Sequence, residues 1–226
     1  MKDVKISVLL PVKDCFMWKL RRCVYSILNQ SYTNIELIIK YNGASREFNQ
    51  IRDMFDDDRI IFDNSDDNSI TEALNKAIKL ATGDVISIFA NDDVYCDGAF
   101  QALVDNIDSS QWYFGDLNYY SHGKPVQTYY ISDPSLEHMK SDNLIPQPTC
   151  FFKRGVYETV GKFDESFMLC YDYDYWVRIM KKYGSPKYIP FKIADYYLNR
   201  ESISFTVGQD KMDAEKKMVY QKHFSK

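Results

Sequence analysis

The amino-acid sequence predicts an α/β fold, in which a mainly parallel sheet is flanked by helices. Short, continuous apolar segments of the kind that form buried strands alternate with segments whose apolar residues recur at helical spacing. From residue 5 to residue 93 the predicted order is β-α-β-(α)-β-α-β, which is typical of a parallel sheet. After Ser110 the pattern changes, so we expect a smaller mixed portion beside this sheet.

The first three strands and the first helix each have a local signal. "KISVLLPV" is an apolar run that ends near a proline, and "MWKLRRCVYSILNQS" has apolar residues at helical spacing. "NIELIIKYNG" predicts a second strand ending in an Asn42-Gly43 turn, and "RIIFDNSDDNS" predicts a short third strand with an acidic loop. Such strands are expected to lie side by side in the sheet.

The next helix has the clearest boundaries. Ser69 and Glu72 form a capping-box pattern, and Gly83 lies where a helix commonly ends. Apolar residues form one stripe between these signals, at positions 70, 74, 77, 78 and 81. The strand in "GDVISIFANDDVY" follows directly and completes the predicted parallel part.

The second half contains a different set of elements. "WYFGDLNYYSHGKPVQTYYI" predicts a hairpin that turns at residues 122–125, and "CFFKRGVYETVGKFDES" predicts a strand and a short helix. "YDYDYWVRIMKKYG" predicts a helix that ends at Gly184, and the segment 209–226 predicts a charged, weakly amphipathic helix. Because no long linker interrupts the chain, we expect one domain over residues 1–226, with halves 1–109 and 110–226.

Composition excludes several classes of protein. The 226 residues are 45% hydrophobic, and 28 basic against 32 acidic residues give a net charge of −4, which argues against a general nucleic-acid binder. The five cysteines include no CxxC pair and the three histidines are dispersed, so we expect reduced thiols, a cytoplasmic protein and no zinc site. No apolar run approaches the ~20 residues of a membrane span.

Two adjacent carboxylates, Asp92 and Asp93, follow a buried strand. Such a pair repels itself and resists desolvation, and a divalent cation would neutralise it and attract phosphate. Asn91-Asp92 is also ordinary turn material with solvated side chains. These residues alone support both interpretations equally.

A second acidic site lies in "CYDYDYWVRI". Asp172 and Asp174 fall at the start of a predicted helix, where carboxylates favour the helix dipole, while Trp176 belongs to its buried side. Either carboxylate could instead be a general base at the edge of a pocket. Gln147 lies between two prolines, in a stiff segment that could hold a polar group towards a ligand.

Four blocks together resemble the family-2 inverting glycosyltransferases of the GT-A fold. They are "KISVLLPVKD", "SILNQSYTNIELIIKYNGAS", "DNSITEALNKAIKLATGDVISIFANDDVY" and "FKRGVYETVGKFDESFMLCYDYDYWVRI". They occur in the family's order and span most of residues 4–180. The resemblance implies a Rossmann-like nucleotide-binding sheet, and it is closest to bacterial enzymes of capsule, exopolysaccharide or lipopolysaccharide synthesis. No GxSxG, Walker A or GxGxxG motif indicates a competing chemistry.

The resemblance also implies roles for individual residues. A nucleotide diphosphate-sugar, preferably a UDP-sugar, would bind at the strand ends, and Asp93 would ligate Mn²⁺ or Mg²⁺. Asp172 would be the general base with Asp174 as the alternative, and Arg178 would orient this segment. The implied donor-binding residues are Pro11, Val12, Asp14, Asn42, Asp67, Asn75 and Asp92; the implied acceptor-side or orienting residues are Gln147, Trp176 and Arg178.

The sequence departs from the family pattern at four positions. Tyr41-Asn42 replaces the paired acids after the second strand, and Ala90 replaces the first acid of the motif before Asp93. Leu74 stands where the family often has Arg, so a diphosphate contact would be missing or moved to Lys76. Tyr171 replaces the usual Glu before Asp172.

We therefore expect an inverting, metal-dependent glycosyltransferase that acts on a glycan or lipid-linked glycan acceptor. The alternative is a catalytically silent nucleotide-sugar-binding subunit of a partner transferase, which the Tyr41-Asn42 and Leu74 departures motivate. A nucleotidyltransferase ranks lower because its glycine-rich, basic signature is absent. The lysine-containing final helix could dock on a membrane at the inner face or form a homodimer, or it could simply be solvated.

Overall fold

The computed structural model describes residues 3–13, 15–131, 133–198 and 208–225. Within these ranges nine strands form one sheet, with helices against it. The strands are β1 (Ile6–Val12), β2 (Ile35–Tyr41), β3 (Ile60–Asp63), β4 (Val85–Ile88), β5 (Val94–Tyr95), β6 (Trp112–Ser121), β7 (Lys124–Tyr129), β8 (Phe151–Lys153) and β9 (Lys187–Leu198). The α-helices are α1 (Met17–Leu28), α2 (Ser45–Met54), α3 (Ile70–Leu80), α4 (Ala99–Asn106), α5 (Arg154–Val160), α6 (Tyr171–Tyr183) and α7 (Gln209–His223).

The first half of the chain forms the parallel part of the sheet, as predicted. Its order is β3-β2-β1-β4, and each neighbouring pair is parallel. The predicted cap of α3 is present, because the Ser69 hydroxyl accepts a hydrogen bond from the Glu72 N–H at 3.1 Å. Since the strands run in one direction, the residues that follow β1, β2, β3 and β4 all lie at one edge.

The second half extends the sheet with mixed pairing. β8 is antiparallel to β4 and β6, while β9 is parallel to β6 and antiparallel to β5. The predicted hairpin is β6 and β7. The sequence analysis did not predict α4, β5 or β9.

The irregularity of β9 explains why it was not predicted. Its pairing with β6 passes from Gly115–Ile189 to Asp116–Lys192, so Pro190 lies in a bulge and does not interrupt the ladder. A Cβ on Gly115 would lie 2.8 Å from the Phe191 carbonyl oxygen, and glycine therefore permits the close approach.

The two faces of the sheet have separate apolar cores. One core packs α1, α2 and α4 against the sheet, and the other packs α3, α5 and α6. The apolar stripes of α1 and α3 are buried in these cores. In the described part of the chain, no helix is both long and apolar enough to cross a membrane.

A buried carboxylate at the opposite edge of the sheet fixes the entry into β4. Glu36 accepts hydrogen bonds from the Ser7 hydroxyl at 2.6 Å, from the Thr82 hydroxyl at 2.8 Å and from the Gly83 N–H at 3.2 Å. It also accepts the Thr82 N–H and pairs with the Lys5 ammonium at 2.6 Å. Burial alone would raise the pKa of Glu36, but these hydrogen bonds outweigh it and lower the pKa to about 2. Glu36 thus joins β1, β2 and the α3–β4 connection.

We expect Glu36→Gln to lower the free energy of unfolding at neutral pH by about 2–3 kcal/mol, because buried donors lose their charged acceptor. Since the folded-state pKa is depressed, the stabilisation is present above pH 4.5 and is lost as the pH falls towards 2. Urea unfolding of both proteins at pH 7 and pH 3.5 measures this. Glu137→Gln, at an exposed i,i+3 pair, is the matched control and should change stability by less than ~0.5 kcal/mol. An equal loss for both variants would contradict the role of Glu36.

Candidate functional site

The ends of the parallel strands open into a cavity of about 1080 Å³. Its walls come from the loops after β1, β2, β3 and β4, from residues 142–148 and 165–173, and from α7. Eight of the residues selected from the sequence line it: Pro11, Val12, Asn42, Asp67, Asp92, Asp93, Gln147 and Asp172. Asp14 lies outside the described residues. Asn75, Asp174, Trp176 and Arg178 do not line the cavity.

Asn42 and Lys40 hold Asp67 at the end of β2. The Asn42 amide donates to the Asp67 carboxylate at 2.7 Å and to its carbonyl oxygen at 2.8 Å. The ammonium of the fully buried Lys40 lies 2.9 Å from the other carboxylate oxygen and 3.8 Å from Asp63. A carboxylate is therefore present at this edge although β2 ends in Tyr41-Asn42.

Asp93 is a buried carboxylate with incomplete hydrogen bonding. It is 1% exposed, and its Oδ1 accepts the Tyr197 N–H at 3.2 Å. Its Oδ2 has no hydrogen-bond partner among the described residues. Burial, followed by repulsion from Asp92, raises the pKa of Asp93 well above its ordinary value.

Arg22 supports the same corner from α1. Its guanidinium donates to the Asp92 carbonyl oxygen at 2.6 Å and lies 3.6 Å from the centre of the Tyr197 ring. Its charge opposes the rise in the pKa of Asp93 but is a smaller influence than burial. Arg22 thereby connects the Asp92-Asp93 turn with β9.

A divalent cation fits the chemistry of this corner. Among the described residues, the buried Oδ2 atom of Asp93 has no hydrogen-bond partner, and the neighbouring Asp92 carboxylate repels a negative charge there. A divalent cation would offset this repulsion and bind the oxygen. The described residues contain no group of three or more His, Cys, Asp or Glu that could hold a metal. Asp93, with Asp92 beside it, would therefore need oxygen ligands from a phosphate or water, a pattern common for Mg²⁺.

Asp172 lines the cavity at the start of α6. Its Oδ2 accepts a hydrogen bond from the Asn143 amide at 2.8 Å, and its Oδ1 accepts the Tyr173 N–H at 2.8 Å. Burial raises the pKa of Asp172 to about 6, and these hydrogen bonds oppose the rise. A carboxylate with this pKa can accept a proton near neutral pH.

Asp174 lies in a different environment. It is fully buried and contacts Arg178 Nε at 2.9 Å, Lys222 Nζ at 2.7 Å and His223 Nε2 at 2.7 Å. Burial would raise the pKa of Asp174, but the hydrogen bonds from His223 and Lys222 outweigh it and lower the pKa. Asp174 therefore joins α6 to α7, away from the cavity.

Arg178 and Trp176 belong to the support of the site. Arg178 also donates to the carbonyl oxygens of Val160 and Lys162, so it links α6 to the preceding loop. Trp176 is 1% exposed and packs in the core with its ring centre 5.9 Å from that of Trp112. Neither reaches the cavity directly.

Asn75 holds the loop that contains Phe163 and Glu165, and Glu165 lines the cavity. The Asn75 amide group donates to the Phe163 carbonyl oxygen and to Glu165 at 3.0 Å each, and accepts the Phe163 N–H at 2.9 Å. Leu74 beside it is fully buried in the core. The Lys76 ammonium contacts Glu72 at 2.9 Å and the Asp66 carbonyl oxygen, and Lys76 is outside the cavity lining.

Five residues of the site were not predicted from the sequence: Arg22, Lys40, Asn143 and the α7 residues Met212 and Lys216. Lys40 had a usable signal, since it is a charged residue inside the apolar run of β2. Arg22, Asn143 and the α7 residues reach their partners across distant parts of the chain, and no local pattern indicates such contacts.

The chain matches the family described as "Glycosyl transferase family 2" over residues 7–158. It belongs to this family. Similar proteins include an uncharacterised glycosyltransferase of Rickettsia prowazekii, 28% identical over 78% of this chain and 58% of the relative. Glycosyltransferase GlyG of Streptococcus pneumoniae is 27% identical over 56% of this chain and 42% of the relative. The chain spans between 17% and 58% of the length of such relatives.

Solved structures show the same fold. S. aureus TarS 1-349 in complex with UDP-GlcNAc superposes with a TM-score of 0.70 at 14% identity, covering 97% of this chain and 71% of that chain. A longer TarS structure gives a TM-score of 0.67 at 12% identity and covers 87% of this chain and 37% of that one. The predicted GT-A architecture of this family-2 chain is thereby confirmed.

We expect Asp93→Asn to stabilise the metal-free protein, because it removes a buried carboxyl group whose ionised form is disfavoured by burial and by Asp92. A gain of about 1 kcal/mol corresponds to a rise in Tm of ~2–4 °C for a chain of this size. Thermal unfolding without and with Mn²⁺ measures it, and Mn²⁺ should raise the Tm of the unmodified protein but not of the variant. Asp97→Asn, at an exposed acid just after β5, should leave both values unchanged. A lower Tm for Asp93→Asn in metal-free buffer would contradict this account of Asp93.

Proposed function

We propose that this chain is an inverting, metal-dependent glycosyltransferase that moves a sugar from a UDP-sugar to a hydroxyl group of a glycan. The observation that carries the proposal is that Asp93 and Asp172 line one cavity at the strand ends of a family-2 fold. Their different environments suit different tasks. Burial and repulsion from Asp92 disfavour the ionised form of Asp93, which a cation would stabilise, while Asp172 has a pKa of about 6.

The donor assignment rests on the strand-end groups and on the structural neighbour. TarS has been crystallised with UDP-GlcNAc and with UDP. Three cavity-lining residues are assigned to the nucleobase of the donor: Pro11, Val12 and Asn42. Asp92, which also lines the cavity, is assigned to the ribose. A divalent cation bound at Asp93 would neutralise the charge that develops on the departing diphosphate.

Asp172 would carry out the proton transfer. Its carboxylate takes the proton of the acceptor hydroxyl while that oxygen attacks the anomeric carbon and the bond to the diphosphate breaks. A single in-line displacement inverts the configuration at that carbon. Asn143 keeps the carboxylate oriented through its hydrogen bond to Oδ2. We assign the base to Asp172 and not to Asp174, because Asp174 is paired with three basic side chains away from the cavity.

The pKa of Asp172 sets an expected pH dependence. Because the base must be ionised, turnover should fall as the pH decreases through about 6, and Asp172→Asn should lower kcat by at least ~10³-fold. Release of UDP from UDP-GlcNAc with Mn²⁺, measured from pH 5 to pH 8 with a mixture of oligosaccharide acceptors, tests both. Asp133→Asn, an exposed acid, is the control and should keep the full profile. Normal turnover by Asp172→Asn would overturn the assignment.

A silent nucleotide-sugar-binding subunit is the second candidate. The burial of Leu74 and the position of Lys76 outside the cavity favour it, since neither can contact a diphosphate there. Calorimetric titration with UDP, GDP and their sugars, with and without Mn²⁺, separates the two candidates. Binding without transfer or hydrolysis identifies the silent subunit.

We further propose a lipid-linked acceptor in surface polysaccharide synthesis, with the protein at the inner face of the membrane. An aromatic and basic surface adjoins the cavity: Phe16 and Trp18 are 51% and 60% exposed, and Lys13 and Arg21 are exposed beside them. Lys13 and Phe16 line the cavity. Exposed aromatic rings with basic neighbours suit an anionic lipid surface, and α1 contains no acidic residue.

We expect the Phe16→Ser/Trp18→Ser double variant to bind phosphatidylglycerol-containing vesicles about tenfold more weakly, because it loses the inserting rings. Vesicle flotation measures the bound fraction, and added NaCl should weaken it further. The control is Val126→Ser/Tyr130→Ser, at exposed apolar residues of 62% and 72% in and after β7. If the unmodified protein stays off anionic vesicles, this surface has another role.

A further inference from the structure

The C-terminal helix α7 is held against the acceptor side of the cavity mainly by charged side chains. Val219 is its fully buried apolar residue, while Lys222 and His223 contact Asp174. Met212 and Lys216 line the cavity. Charged contacts of this kind explain why the helix has little apolar periodicity in its sequence.

Glu215 of α7 binds the backbone that leads into Asp172. Its carboxylate accepts hydrogen bonds from three successive N–H groups: from Met168 at 3.1 Å, from Leu169 at 2.8 Å and from Cys170 at 2.8 Å. Cys170 is the residue that precedes α6, and Asp172 is the second residue of that helix. A carboxylate that holds three consecutive N–H groups fixes the direction in which the helix begins.

Lys216, the next residue, holds the hydrogen-bond partner of Asp172. Its ammonium lies 2.7 Å from one oxygen of Asp142 and 2.9 Å from the other. The Asp142 carboxylate also accepts the Asn143 N–H at 2.8 Å, and the Asn143 amide donates to Asp172 at 2.8 Å. Glu215 therefore restrains the backbone that precedes Asp172, and Lys216 restrains the segment of Asn143, whose side chain orients the Asp172 carboxylate.

We propose that Glu215 and Lys216 are positioning residues that set the orientation of the Asp172 carboxylate towards the acceptor. The proposal rests on the proposed function only in that Asp172 is the base. Among the described residues, Asn143 is the one side chain that hydrogen-bonds to Asp172, so the orientation of Asp172 depends on how these two segments are held. A displacement of the order of 1 Å at a reacting group can lower a rate by ~10²-fold.

The test compares Glu215→Ala, Glu215→Gln and Lys216→Met with two matched controls on α7. Asp210→Asn and Lys217→Met remove charges from exposed side chains of the same helix. We expect Glu215→Ala and Lys216→Met to lower kcat for UDP release from UDP-GlcNAc about 10–100-fold, with the KM for UDP-GlcNAc changed less than twofold. Glu215→Gln keeps one acceptor oxygen and should recover part of kcat. Both controls should match the unmodified protein.

A second measurement does not depend on catalysis. In protein labelled with [4-¹³C]aspartate, the resonance lost in Asp172→Asn identifies the Asp172 carboxyl, whose titration midpoint should lie near pH 6. The midpoint should move towards the ordinary aspartate value in Glu215→Ala, as the loosened segment admits water, and stay unchanged in both controls. No turnover by any protein, with this shift present, would refute the transferase and support the positioning role. Titration and kcat of Glu215→Ala equal to the controls would overturn the positioning role, as would a kcat loss that Glu215→Gln shares in full.

Discussion

The buried carboxyl group of Asp93, whose Oδ2 has no hydrogen-bond partner among the described residues, is the constraint on which this site depends. A carboxyl group that is 1% exposed, with one oxygen unpartnered in the described part of the chain, opposes folding, so the surrounding structure must hold it in place. The neighbouring residues do so by packing: the Phe89 and Tyr95 rings on either side of the Asp92-Asp93 turn stack with centres 3.8 Å apart. Arg22 and the Tyr197 N–H fix the turn from α1 and β9. A cation bound there would offset the repulsion between these two acidic side chains.

The two carboxylates of α6 have different surroundings because they lie on different faces of the helix. Asp172 and Asp174 are two positions apart, and at 3.6 residues per turn they point to nearly opposite sides of the helix. Asp172 faces the cavity, where burial raises its pKa. Asp174 faces His223 and Lys222, whose hydrogen bonds lower its pKa, together with the positive charge of Arg178. The sequence showed both acids at a helix start but not which face met α7, so it left the choice between them open.

Local patterns predicted the parallel half of the fold because each strand and helix there carries its own signal. Capping at Ser69 and the apolar stripe of α3 are properties of neighbouring residues. β9 was missed because Pro190 interrupts its pattern, and only pairing with β6 turns that residue into a bulge. The cavity lining was predicted where it follows strand ends. It was missed where it depends on contacts such as Arg22 with Asp92 or Lys216 with Asp142, which join segments 70 and 74 residues apart.

A carboxylate lies beside Asn42 although Tyr41-Asn42 replaces the paired acids expected after β2. Asn42 cannot carry the charge of an acid, but its amide holds Asp67 from the neighbouring loop at the same edge. The Lys40 ammonium pairs with the Asp67 carboxylate. The Tyr41 hydroxyl donates instead to Glu47, at 2.8 Å. These residues form one network, so Asn42 and Asp67 have to be considered together. A variant that restores an acid at position 42 would place two carboxylates within hydrogen-bonding distance, which their repulsion disfavours.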